Sequence, residues 1–185
     1  MVSKRGKRTE ADVAQKLRIN LISQQLFISF GRSGPKIFAK NPIALEENKM
    51  KATGGCYCGE IRYEINGALE VTAQCHCREC QYITGGNPAV FAVFSKDDFE
   101  YTAGKITTFA RRDLETPVVR HFCSNCGTAI GNRSPTNPNL MIVKIGTFDD
   151  ESFFKPQIAI FTCDKQPYHH IAEGIPAFEK RREKS

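Results

Sequence analysis

Seven of the chain's eight cysteines stand in three short clusters, and their spacing restricts the fold more than any other feature of the 185 residues. The clusters are Cys56-x-Cys58, Cys75-x-Cys77-x-x-Cys80 and Cys123-x-x-Cys126, with Cys163 apart. A disulfide framework belongs to exported chains and spreads its pairs more evenly. Here the basic N-terminus is followed by no clean apolar segment with a small-residue cleavage site, so no export signal is read. In a reducing compartment, tight C-x-C and C-x-x-C spacing favours metal thiolates, and zinc is the expected ion. The expected location is cytoplasmic.

"CSNCG" at 123–127 has the form of a zinc knuckle, with Gly127 permitting a tight backbone after the second thiolate. A knuckle supplies half a tetrahedron, so the other clusters must complete it. In one partition Cys56, Cys58, Cys123 and Cys126 form a closed four-thiolate site that ties the ends of the domain together. Cys75, Cys77 and Cys80 then wrap a second ion with an open fourth position. In the other, one cysteine of the triplet is a bystander and the chain holds a single zinc. The first is preferred, because three cysteines within six residues can wrap an ion locally. Closed four-thiolate sites hold structure, whereas three protein ligands and an exchangeable position are the catalytic arrangement. The structural alternative for the triplet needs a histidine as fourth ligand. His121 is a better candidate than His76, which lies between two ligands and points away from both.

The remaining chemistry-bearing residues have plainer readings. Cys163 sits in an apolar run and reads as a small core residue. His169 and His170 read as surface or hydrogen-bonded groups. Arg111, Arg112, Arg120 and Lys144 could meet an anionic substrate carboxylate, with solvated surface as the default. Asn132-Arg133-Ser134 is a chance glycosylation match. No phosphate loop, dinucleotide fingerprint or serine nucleophile elbow is present.

The net charge of +6 suggests nucleic acid until its distribution is read. Residues 1–50 carry ten Lys and Arg against four Asp and Glu, and residues 51–185 carry sixteen of each. With seven thiolates on two zincs the latter segment falls to about −3. Such a core has no electrostatic case for a phosphate backbone. No apolar run approaches the roughly 20 residues that span a bilayer. No membrane association is expected, and the oligomeric state is open.

Composition also divides the chain. Residues 1–49 read as a basic, weakly ordered extension, with helix-compatible spacing of Leu17, Leu21 and Ile28. Three origins stay open for it: a genuine extension, an amphipathic targeting segment, or a translated leader before a biological start at Met50. "EENKM" favours the last, since it can be encoded as a purine-rich ribosome-binding site before a start codon. Residues 50–180 read as one zinc-stapled domain, and 181–185 as a polar tail. The domain is mainly β. Ile61, Tyr63 and Ile65 alternate on one face of a strand that ends in the turn signal Asn66-Gly67. Further strands are expected before the triplet, at about 89–94, on either side of a 112–117 turn, at 140–148, and in "PQIAIFTC". "DDESFF" reads as one helical turn.

"GGCYCGEIRYEI", "CHCRECQYITGG", "FCSNCGTAI" and "GTFDD" resemble, in order and spacing, the motifs of the glutathione-dependent formaldehyde-activating family, which includes the centromere protein V branch. The resemblance covers about residues 53–178. The family's usual Trp is Tyr168 here. The resemblance implies coiled antiparallel sheets in a β-tent. It implies structural zinc on Cys56, Cys58, Cys123 and Cys126, and catalytic zinc on Cys75, Cys77 and Cys80. It also implies carbon–sulfur lyase or synthase chemistry joining glutathione and formaldehyde as S-hydroxymethylglutathione. A small-molecule thiol and an aldehyde are the expected partners, with glutathione as co-substrate. The alternative is a non-enzymatic zinc module that binds a protein or nucleic-acid partner.

Overall fold

The computed structural model describes residues 49–181. The readings of residues 1–48 and of the last four residues lie outside the described residues. The described chain is mainly β, as expected. It has ten strands, one short α-helix and brief 3-10 turns, arranged in two sheets.

The smaller sheet has the order β1-β2-β5, from β1 (Lys49–Gly55), β2 (Arg62–Ala68) and β5 (Phe99–Ala103). β1 and β2 pair antiparallel along their whole length, from Lys49 opposite Ala68 to Gly55 opposite Arg62. Ile61, Tyr63 and Ile65 are all buried, so the alternation read from the sequence faces the core. The Asn66-Gly67 turn does not form: both residues stay in β2, opposite Lys51 and Met50. Gly67 serves close packing instead, because a Cβ there would lie 2.0 Å from the Asp98 carboxyl carbon. β2 continues to Ala68, and after two residues the chain enters β3 (Val71–Cys75) of the other sheet.

The larger sheet has the order β10-β3-β4-β9-β8-β7-β6. β4 (Ala89–Ser95) and β9 (Asn137–Lys144) are its central pair, flanked by β8 (Ala129–Ser134), β7 (Val119–Phe122) and β6 (Thr107–Phe109). β6 and β7 flank the expected 112–117 turn and pair with each other. The expected strand at 140–148 is cut at Lys144, and Ile145–Thr147 coil into a 3-10 turn whose Thr147 hydroxyl donates to the Lys144 carbonyl at 2.7 Å. "DDESFF" forms a turn rather than a helix. The edge strand β10 (Ile158–Ile160) runs parallel to β3, so the larger sheet is mixed.

One apolar cluster, containing Ile61, Tyr63, Ile65, Phe94, Ile130, Val143 and Phe148, lies between the sheets. A second gathers Ala73, Cys75, Phe91 and Val93, with Cys77 and Cys80 against it. Among the described residues no helix is long and apolar enough to cross a membrane.

Candidate metal centres and adjoining cavity

The connection β1–β2 and the turn β7–β8 build the first cysteine group. After Gly55 the chain loops back so that the Cys56 N–H reaches the Ile61 carbonyl at 3.0 Å. The Ile61 N–H donates to Cys56 Sγ at 3.2 Å. In the facing turn the Gly127 N–H reaches the Cys123 carbonyl at 2.9 Å, and Gly127 takes φ of 74°, the left-handed region expected of it. Thr128 joins the two loops: its hydroxyl accepts from the Tyr57 N–H at 3.2 Å and lies 3.1 Å from Cys126 Sγ. The four sulfurs of Cys56, Cys58, Cys123 and Cys126 fall within 4.8 Å of one another. The Cys56–Cys58 and Cys58–Cys123 separations are 3.4 and 3.8 Å. Four sulfurs placed tetrahedrally at zinc–thiolate distance stand about 3.8 Å apart, so this donor set fits zinc. All eight cysteines are free, and none is spent in a disulfide.

The second group forms where β3 runs into α1 (Arg78–Thr84). Cys75 is the last residue of β3. Cys77 caps α1, its sulfur accepting from the Cys80 N–H at 3.4 Å. Gly85 closes the helix in the left-handed conformation. Sequence reasoning missed α1, since seven residues are too few to display a helical period. Its signals are a capping side chain at 77 and glycine at 85. The sulfurs of Cys75, Cys77 and Cys80 also lie within 4.8 Å of one another. Such crowding sets one thiol against another. Hydrogen bonds with Cys75 and Cys80 pull Cys77 well below the usual thiol value, and those with Cys77 and Cys80, followed by burial, push Cys75 up.

Neither histidine weighed as a fourth ligand joins this group. His76 turns its ring to His169, with the two Nδ1 atoms 3.0 Å apart. His121 bonds Tyr101 through Nδ1 at 2.9 Å. Among the described residues the group contains three donors. Cys163 corrects its reading: it is exposed, on a 3-10 turn after β10 instead of in the core. The chain leaves β10 through Phe161, whose φ of 55° swings the next residues off the sheet. His169 is buried and hydrogen-bonded, while His170 is exposed and offers its carbonyl to Gln74.

A cavity of about 330 Å³ opens between the two cysteine-bearing regions. Ile83, Phe109 and Phe122 give it apolar walls, and Arg120, His121, Asn132 and Lys144 are its polar lining. Glu79 on α1 accepts from Arg120 at 2.6 Å and from Arg111 at 3.0 Å, tying the β6–β7 hairpin to the helix that carries Cys80. Arg111 also pairs with Asp113, and Arg112 is exposed, so neither lines the cavity. Lys144 lies against the Phe91 ring, 5.8 Å from its centroid. Burial pulls its ammonium below the ordinary lysine value, opposed by the nearby sulfurs, Cys80 foremost. Asn132 Oδ1 is buried and, among the described residues, has no partner, which suits a ligand N–H or O–H.

A family model described as glutathione-dependent formaldehyde-activating enzyme matches residues 51–164, a span that includes every cysteine. Among solved structures, the crystal structure of a Rhodobacter sphaeroides protein is similar at 20% identity, covering 56% of this chain and 91% of that one, with a TM-score of 0.44. Among curated proteins no sequence matches the chain.

Proposed function

The chain belongs to the glutathione-dependent formaldehyde-activating enzyme family, and on that footing we propose that it is a zinc-dependent carbon–sulfur lyase or synthase. Its substrate is a thiol–aldehyde adduct of the S-hydroxymethylglutathione type. In this reading Cys56, Cys58, Cys123 and Cys126 hold a structural zinc, and Cys75, Cys77 and Cys80 hold the catalytic one. The observation that carries it is the pairing of a four-sulfur group with a three-sulfur group whose helix lends Ile83 to a ligand-sized cavity and whose sulfurs act on the cavity's Lys144. A cytoplasmic location belongs to the same reading, since its reducing conditions keep the thiols free.

Zinc on three thiolates would supply a Lewis-acidic position at which a substrate thiol ionises near neutral pH. Three thiolates also leave such a centre at about −1, a weak Lewis acid. Lys144 and Arg120 offset that charge and receive the substrate's carboxylate. Asn132 Oδ1 accepts from an amide N–H of the thiol. Ile83, Phe109 and Phe122 give the adduct an apolar wall where thiol and carbonyl meet as neighbours, and proximity is the main source of acceleration for an addition that is already easy.

Cobalt(II) substitution followed by glutathione titration tests this reading. A saturable change in the visible d–d bands is expected, from a thiol reaching an exchangeable position. Two sulfur-rich tetrahedral cobalts that ignore glutathione would overturn it, leaving a zinc module that serves a binding partner.

A further inference from the structure

One stretch of chain braces the triplet from outside. Residues 157–170 bond repeatedly to residues 72–86. The Gln157 N–H donates to the Thr72 carbonyl, and the His76 N–H to the Ile160 carbonyl, each at 3.0 Å. Asp164 accepts from the Arg78 N–H at 3.2 Å, and its carbonyl accepts from Gln81 Nε2 at 2.9 Å. Gln81 Nε2 also donates to the His76 carbonyl at 2.6 Å. Among the described residues none of these bonds reaches the four-cysteine group.

His169 makes the deepest of these contacts, and its partners settle its protons. Its Nε2 lies 2.8 Å from the Gly86 carbonyl, which can only accept, so Nε2 carries the hydrogen. Its Nδ1 therefore accepts, as the Gln166 N–H pointing at it from 3.2 Å requires. The His76 Nδ1, 3.0 Å away, must then be a donor. His76 is left with a bare Nε2, buried and, among the described residues, without a partner. Both rings are sealed from solvent, at 0% and 4% exposure, so no water can replace a lost contact.

We propose that His169 is a positioning residue for the three-cysteine group. Through His76 it sets the loop that carries Cys75 and Cys77, and so controls how firmly that group keeps its metal. The inference rests on the reading of Cys75, Cys77 and Cys80 as a metal site. Groups bonded directly to a metal ligand alter its affinity 10- to 100-fold, which sets the upper bound for a residue that acts through His76.

The test loads the full chain with zinc and follows metal release to a chromogenic chelator. The wild-type chain is expected to give one fast and one slow equivalent. His169→Phe keeps the ring's bulk but loses all three side-chain hydrogen bonds. It should speed the fast equivalent by roughly 3- to 10-fold and leave the slow one unchanged. His169→Asn, whose Oδ1 can still accept from His76, should restore much of the difference. If His169→Phe does not fold, His169→Leu replaces it with the same expectation, since it has neither donor nor acceptor. An unchanged fast phase overturns the proposal. Equal acceleration of both phases also overturns it, because His169 would then merely support the fold. A wild-type chain that loads only one zinc overturns the metal reading itself and this proposal with it. Independently, ring nitrogen shifts of the wild-type chain should report His76 protonated at Nδ1. The opposite tautomer would refute the run of hydrogen bonds from Gly86 through His169 to His76.

Discussion

At the scale of single residues, loss of one sulfur means different things in the two groups. Cys123 is fully buried and belongs to the group that joins two distant loops. Cys123→Ser should unfold the domain or lower its melting temperature by about 10 °C or more, because a structural metal contributes folding free energy directly. Cys77→Ser should melt within a few degrees of wild type, bind one metal fewer and lose activity, as thermal melts and metal analysis would report. If both variants unfold alike, the division of labour between the groups is wrong. The cavity makes a second prediction. Lys144→Met should raise KM for glutathione by about 10- to 100-fold, the range for a charge-assisted hydrogen bond. Asn132→Ala should raise it by roughly 3- to 10-fold with little change in kcat. The cysteines are legible in the sequence as candidate ligands because ligand spacing is local. Lys144, Arg120 and Asn132 are not legible as one set, because three different strand positions bring them to one cavity.

At the scale of elements, the hairpin β1–β2 is fastened to the segment after β9 by Asp149. Its carboxylate accepts from both terminal nitrogens of Arg62 and from the Thr53 hydroxyl. Those partners, Arg62 first and Thr53 second, hold its pKa below the usual value of 3.8. A depressed carboxylate stabilises the fold above its unfolded pKa and loses that contribution as pH falls through the folded value. The pH window is therefore below about 4, and neutral-pH stability should be flat with respect to this group. Because Asp149 is 46% exposed, Asp149→Asn should cost only about 1 kcal/mol at pH 7, and progressively less as pH falls below about 4, in denaturant titrations. The buried alternation of β2 is readable because a strand's period is two. Asn66-Gly67 makes no turn because glycine serves close approach as well as tight turns, and only the Asp98 side chain opposite Gly67 distinguishes the two. Helix α1 escapes a reading by period because it is shorter than an isolated helix could be. Its Gln81 is held by carbonyls of His76 and Asp164, the latter 83 positions away in sequence.

At the scale of the whole molecule, the two cysteine groups sit at different levels of the architecture. One joins the loop of the small sheet to a turn of the large one, and the other is local to β3 and α1. A strong chelator should therefore act in two steps. The first should remove one equivalent with far-UV circular dichroism unchanged, and the second should be accompanied by loss of structure. A single step in which metal and fold vanish together would place both groups in one cooperative unit.

The sequence by itself determined the class of fold and the identity of the seven clustered sulfurs as candidate ligands, and left open whether they divide into four and three. Each of these depends on spacing along the chain, which strand period and ligand reach convert directly into geometry. Only the tertiary structure decided the cavity, the exposure of Cys163 and the union of His76 with His169. Those are meetings of residues from separate strands and loops, and no local spacing encodes which distant segment packs alongside. The parallel pairing of β10 with β3 brings the C-terminal segment to the triplet, and with it the His169 ring that meets His76.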